Sequence, residues 1–277
     1  MISGKTTLIA HLGYPTEAFK APMIYNPWFE QRGIDAVVVP MGVKSEDYPA
    51  TLAALAALTN LRGALVTMPH KVTTLALIGE ATPTARVAGA CNALLKRPDG
   101  SWLGDQFDGT GFVRGVERKG RRIAGSRVFV AGCGGVGSAI AASLAAAGAG
   151  TLSLFDARAA SADALRDRLL EHYPALGVRT GSQDPAGHGI VVNATPLGMN
   201  EGDALPLAIE RVDPSALVGE VVMKAEHTPL LRAALARGLE VQIGTDMLFE
   251  MIPAYLEFFG FGAATADELR AVAQLRY

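Results

Sequence analysis

The chain has 277 residues, 49% of them hydrophobic and 19% charged, which is ample apolar material for a core and too little charge for disorder. Its formal net charge of −2 supplies no basic field for nucleic acid or an anionic membrane surface, so neither partner is expected. Two cysteines, Cys91 and Cys133, exclude a disulfide scaffold and a four-cysteine zinc site; no metal is expected, and the lack of a signal pattern or bilayer-length apolar run points to the cytoplasm.

In chain order, residues 5–12 read as a strand and Gly13-Tyr14-Pro15 as a turn. A helix is expected from Pro22, with Pro27 kinking or breaking it. Ala36–Met41 reads as a buried strand, Ser45–Leu58 as an amphipathic helix and Gly63–Thr67 as a third strand. Val72–Ala81 is expected to be helical, and Ala90–Lys96 and Ser101–Gly104 read as strands joined by the turn Arg97-Pro98-Asp99-Gly100. Past Gly109–Gly115, strands near 128, 152, 178 and 190 alternate with helices at about 138–148 and 161–171, the rhythm of a doubly wound parallel sheet. Strands over Leu217–Met223 and Glu240–Ile243 flank a helix over Thr228–Arg237, and helices over Asp246–Phe259 and Thr265–Leu275 follow. The basic cluster Arg118–Arg122 reads as a solvated helix end or interdomain linker.

The strand around Val128 runs into Gly132-Cys133-Gly134-Gly135-Val136-Gly137, and an alanine-rich helical pattern follows at once. In that context G-x-G-x-x-G is a dinucleotide loop, with Gly132 for the tight turn, Gly134 for close approach to a pyrophosphate and Gly137 for helix–strand packing. Amides at the helix N-terminus supply the anion site. Cys133 inside the loop reads as a packing residue rather than a redox centre. Asp156 ends the next apolar run, where a carboxylate accepts ribose hydroxyls and repels a 2′-phosphate. NAD is therefore expected over NADP, with Arg158 the nearby residue able to pair with a phosphate.

The order of motifs resembles the shikimate/quinate dehydrogenase family over essentially the whole chain. The matching stretches are Gly13-Tyr14-Pro15 with Pro22 and Asn26, Gly63 to Lys71, Gly89-Ala90-Cys91-Asn92, Gly104 to Gly109, the glycine loop, Asn193 to Met199, Thr228-Pro229-Leu230-Leu231, and Gly244 with Met247-Leu248. The resemblance implies an α/β protein of two lobes. Residues 1–108 and 245–277 make the substrate lobe, with the C-terminal helices returning to it, and residues 109–244 make a Rossmann lobe with a doubly wound parallel sheet. It also implies an NAD(P)-dependent dehydrogenase acting on a CH–OH group, as a monomer or homodimer. The reaction is reversible hydride transfer between the cofactor and a small cyclic hydroxy acid or ketone.

On the same resemblance the catalytic lysine and aspartate fall on Lys71 and Asp108, and Thr67 and Asn92 match substrate positions. Gly132, Gly134, Gly135, Val136, Gly137, Asp156, Arg158, Asn193, Thr195, Met223 and Gly244 are the candidate cofactor contacts. Alcohol oxidation needs a base within hydrogen-bond reach of the hydroxyl. Desolvation lowers a lysine and a neighbouring carboxylate raises it, so the protonation of Lys71 and Asp108 is coupled.

The segment that holds the substrate carboxylate in the family, Ser-x-Ser-Pro, reads Phe19-Lys20-Ala21-Pro22 here. Leu65, Phe107, Met223 and Met251 likewise stand where the family carries polar residues. Apolar replacement of hydrogen-bonding groups removes discrimination of about 10⁴–10⁵ for a hydroxylated substrate. A ring substrate less polar than shikimate is therefore expected, with Lys20 or Tyr25 as a substitute carboxylate contact. The alternatives are an ordinary shikimate dehydrogenase of aromatic amino-acid biosynthesis and a non-catalytic, cofactor-binding regulator; retention of Lys71 and Asp108 favours an enzyme. His70 reads as a histidine packed in a loop, and Met247, Met251 and Phe258 read as core.

Overall fold

Thr7–Gly13 (β1) is an apolar run that pairs in parallel with Ala36–Gly42 (β2) on one side and Leu61–Val66 (β3) on the other. The computed structural model describes residues 2–276. Met1 and Tyr277, the ends of the expected substrate lobe, lie outside the described residues. β2 is the edge of its sheet and only partly buried, which corrects the expected buried strand and accommodates Pro40, since an edge tolerates the missing donor.

Pro22–Arg32 (α1) is one helix despite Pro27. A proline in a helix leaves the carbonyl four residues earlier without its donor. That carbonyl, on Met23, accepts the amide of Gln274 at 2.9 Å, which offsets part of the cost and explains why the expected break is absent. Tyr48–Ala56 (α2) is shorter than the expected 45–58 helix and starts at its Tyr-Pro step.

Lys71–Leu77 (α3) is followed by extended Ile78 and the short strand Glu80–Ala81 (β4), so the expected helix to Ala81 ends early. Thr82 then caps Pro83–Ala88 (α4), its hydroxyl accepting the Ala85 amide at 3.3 Å. Ala93–Lys96 (β5) and Trp102–Asp105 (β6) form the expected antiparallel pair. Among the described residues the first sheet has the order β2-β1-β3-β5-β6-β4. Its core includes Ala10, Leu12, Tyr48, Leu52, Leu94 and Trp102.

Asp108–Arg118 (α5) leads into Arg127–Ala131 (β7), Gly135–Ala146 (α6), Thr151–Phe155 (β8), Ala159–His172 (α7) and Gly177–Thr180 (β9). Ile190–Asn193 (β10), Leu217–Glu220 (β11), Pro229–Ala236 (α8) and Glu240–Gln242 (β12) complete the alternation. Every pairing is parallel and the order is β12-β11-β10-β7-β8-β9. That is the Rossmann order, with the switch point between β7 and β10. β11 stops at Glu220, so Met223 lies past the strand expected to carry it.

Gly244–Phe259 (α9) and Ala266–Val272 (α10) follow, the latter opened by a capping box of Thr265 and Glu268. Two units divide the chain: the residues up to Phe107 with Phe249–Arg276, and Asp108–Leu248. No helix among the described residues is long and apolar enough to cross a membrane.

Candidate functional site

In the second unit the glycine loop joins β7 to α6. Gly132 has φ +96 and donates its amide to Phe155 O at 2.7 Å. A side chain at Gly137 would begin 1.8 Å from the Gly132 carbonyl, so only glycine lets α6 start this close to the strand. Gly135, Val136 and Gly137 form the first helical turn, where amides have no intrahelical acceptor. Such a turn fits a pyrophosphate. The Cys133 thiol is buried, and burial, then the Asp156 charge, pushes it up to about 12, the state of a packed rather than a redox-active thiol.

Asp156 does not stand clear of this loop. Its Oδ2 accepts the Cys133 amide and its Oδ1 the Arg158 amide, both at 2.8 Å, and the side chain is 14% exposed. The Arg158 side chain is 81% exposed.

Asn193, at the end of β10, organises the neighbouring loop. Its Oδ1 accepts the Thr195 amide at 3.0 Å and the Thr195 hydroxyl at 2.6 Å, while its Nδ2 donates to Glu220 at 2.6 Å. Glu220 also accepts the Thr228 hydroxyl, at 2.5 Å, and is fully buried. Burial pushes its carboxyl up to about 7, opposed by the hydrogen bonds from Thr228 and Asn193. The network holds the loop beside Gly132, whose missing side chain would begin 2.8 Å from the Thr195 nitrogen. Gly244 and Met223 are neighbours, the glycine lacking a side chain that would begin 3.1 Å from Met223 Cγ. Asp108 is buried at the first position of α5.

In the first unit Thr67, Lys71 and Asn92 are fixed at one end of the sheet. Thr67 donates its amide to Leu12 O at 2.9 Å, and Tyr14 donates to Met68 O at 3.0 Å. Lys71 opens α3, and its carbonyl accepts the Cys91 amide at 2.8 Å, which puts Asn92 on the adjacent segment. Asn92 is buried; its Oδ1 accepts the Phe107 amide at 2.9 Å and its carbonyl accepts the Tyr255 hydroxyl at 3.1 Å. Its Nδ2 is buried without a hydrogen-bond partner. Phe107 packs edge-on against Tyr255, with centroids 4.8 Å apart.

His70 is packed, with Nε2 2.7 Å from Val43 O and its ring stacked on Tyr48 at 3.9 Å. Lys20 is buried and donates to the Arg276 carbonyl. Tyr25 is buried on α1 with no partner for its hydroxyl. In this arrangement neither is presented as an open carboxylate contact, because the C-terminal segment engages one and the core encloses the other. Met251 is buried on α9. Tyr255, against Phe107, and His11, stacked on Phe19, are residues here that motif order does not single out. A cavity of about 540 Å³ lined by Tyr14, Thr16, Val43, Lys44, Asp47 and Thr51 includes none of the candidate residues.

A family model described as the shikimate dehydrogenase substrate binding domain matches residues 12–94, and one described as the ThiF family matches residues 112–165. A shikimate dehydrogenase (NADP(+)) of Acidiphilium cryptum is 37% identical over 276 residues, covering 99% of this chain and 98% of its own. A crystal structure of shikimate 5-dehydrogenase from Listeria monocytogenes in complex with shikimate and NAD has a TM-score of 0.86 at 26% identity, covering 98% of this chain and 97% of that one. A quinate dehydrogenase from Corynebacterium glutamicum in complex with NAD gives 0.85 at 26%, over 96% and 98%.

The fold, the glycine loop and these likenesses define a two-domain Rossmann-type oxidoreductase that acts on a CH–OH group with a nicotinamide cofactor. The loop and the switch-point strands account for the cofactor side of that class. The chain belongs to the shikimate dehydrogenase family.

The expectation of NAD is overturned by relatives 31–37% identical that are shikimate dehydrogenases (NADP(+)). In the structure each Asp156 oxygen already accepts a backbone amide, that of Cys133 in the glycine loop and that of Arg158, so the carboxylate has a structural role that its spacing alone reads as ribose recognition.

Proposed function

We propose that this protein is an NADP-dependent dehydrogenase of ring alcohols and ketones, with Lys71 and Asp108 handling the proton and a substrate less polar than shikimate. Bound NADP(H) supplies the hydride acceptor or donor. The unit containing β1–β6 takes the substrate and the parallel-sheet unit takes the cofactor. Lys71 and Asp108 together accept the hydroxyl proton in oxidation and return it in reduction. The names of the relatives support NADP, and the exposed Arg158 guanidinium is suited to a 2′-phosphate.

The observation that carries the substrate side is Asn92. Its buried Nδ2 is a donor without a partner, on the segment bonded to Lys71, and buried donors are rarely left unmade. A substrate oxygen beside Lys71 completes it. The less polar substrate is supported by Phe19, Ala21, Phe107 and Met251, which add apolar surface in place of hydrogen-bonding groups.

A panel of cyclic hydroxy acids, alcohols and ketones, followed by NADPH absorbance, tests the proposal. Shikimate is expected to be turned over poorly and a less hydroxylated ring well. A kcat/KM for shikimate above roughly 10⁴ M⁻¹s⁻¹, within the usual enzyme range, contradicts the less polar substrate.

A further inference from the structure

His11 has no part in the chemistry above. It lies on β1, two residues before Gly13, and is 7% exposed. Its ring stacks on Phe19, with centroids 4.1 Å apart and planes inclined by 26°. Phe19 Cζ, Met68 O and Thr67 Cγ2 converge on Gly13, lying 2.9, 2.8 and 2.4 Å from where a side chain would begin. The stacked pair is therefore continuous with the turn that carries Thr67 and Lys71.

Burial, and secondarily the nearby Lys71 ammonium, pushes His11 down to about 3, so the imidazole is neutral across the physiological range. Its Nδ1 is buried and has no hydrogen-bond partner. The other buried imidazoles are satisfied. His70 meets Val43 O at 2.7 Å, and His188 meets Pro185 O at 2.9 Å and Ser153 Oγ at 2.8 Å. A buried ring nitrogen without a partner, close to Lys71, calls for one.

We infer that His11 is a specificity-determining residue: stacked on Phe19, it forms a neutral wall beside Thr67 and Lys71 and hydrogen-bonds a neutral oxygen of the substrate, a ring hydroxyl or carbonyl. The wall itself, a benzene ring and an uncharged imidazole, offers a carboxylate no charged hydrogen bond. Lys20 already donates to the Arg276 carbonyl. This inference rests on the role proposed for Lys71.

The test assays His11→Phe, His11→Gln and Lys71→Ala on the best neutral ring alcohol or ketone of the panel, with NADPH affinity from fluorescence and foldedness from thermal melts. His11→Phe keeps the stacking and removes the hydrogen-bonding edge. KM is expected to rise about five- to tenfold, the effect of one hydrogen bond. The change in kcat is smaller and NADPH affinity is unaltered. His11→Gln keeps a neutral polar end and recovers most of the KM. If His11→Phe does not fold, Phe19→Leu, which removes the platform, is expected to raise KM likewise. An unchanged KM in a folded His11→Phe, with Lys71→Ala inactive, overturns the role of His11 alone. Full activity in Lys71→Ala overturns both, and no turnover of any neutral ring substrate by the unaltered enzyme overturns the role of His11.

Discussion

The Asp156 carboxylate holds the Cys133 amide at 2.8 Å, so the acid at the end of β8 braces the glycine loop from within. Removing it loosens the loop whichever nicotinamide is bound. Asp156→Ala is expected to weaken NADPH and NADH alike, by about tenfold, the effect of a charge-assisted hydrogen bond. Fluorescence titration with both cofactors checks this; a gain in NADPH affinity would show that the carboxylate acts on the phosphate instead.

Arg158 separates the two cofactors. Its side chain is 81% exposed at the start of α7. Arg158→Gln is expected to weaken NADPH by roughly tenfold or more and leave NADH unchanged, since only the former offers a 2′-phosphate. Equal losses for both cofactors would count against the pairing.

Glu220 makes stability depend on pH. Its carboxyl is pushed from the ordinary 4.5 up to about 7 by burial, so the folded state binds its proton more tightly than the unfolded chain does. The resulting stabilisation, on the order of 3 kcal/mol, is fully present below about pH 4.5 and is lost as pH rises through 7. Glu220→Gln can still accept from Asn193 and donate to Thr228, and does not titrate. The variant is expected to lose less Tm than the unaltered protein between pH 5 and pH 8; identical slopes would remove Glu220 as the cause.

Gly137 tests the geometry of the cofactor loop. An alanine there would place its methyl 1.8 Å from the Gly132 carbonyl, a backbone atom that cannot swing aside. Gly137→Ala is expected to lower stability by about 1–3 kcal/mol through overpacking and to weaken NADPH more than tenfold. Denaturant unfolding and cofactor titration measure the two effects.

What is legible from sequence follows the range of the interactions involved. The Rossmann unit is legible because β7, β8 and β10 are continuous apolar runs and the glycine loop is local. Val72–Ala81 reads as one helix because β4 exists only through pairing with Leu103 and Gly104, which local spacing does not reveal. The Thr82-Pro83 step carried a cap signal for α4 all the same. Pro27 reads as a break because its remedy, the Gln274 amide, comes from the other end of the chain. In the candidate site, Lys71 and Asn92 follow from motif order. The environment of His11 does not, since its stacking partner comes from a loop and its isolation is a property of the packed state.

The proton-transfer role of Lys71 is measured by the rate of NADPH oxidation by the enzyme and by Lys71→Ala, with the best ketone of the panel. A fall of at least about 10² in kcat is expected, the scale of general acid–base catalysis, with NADPH affinity unchanged. Equal rates in the two proteins would contradict it.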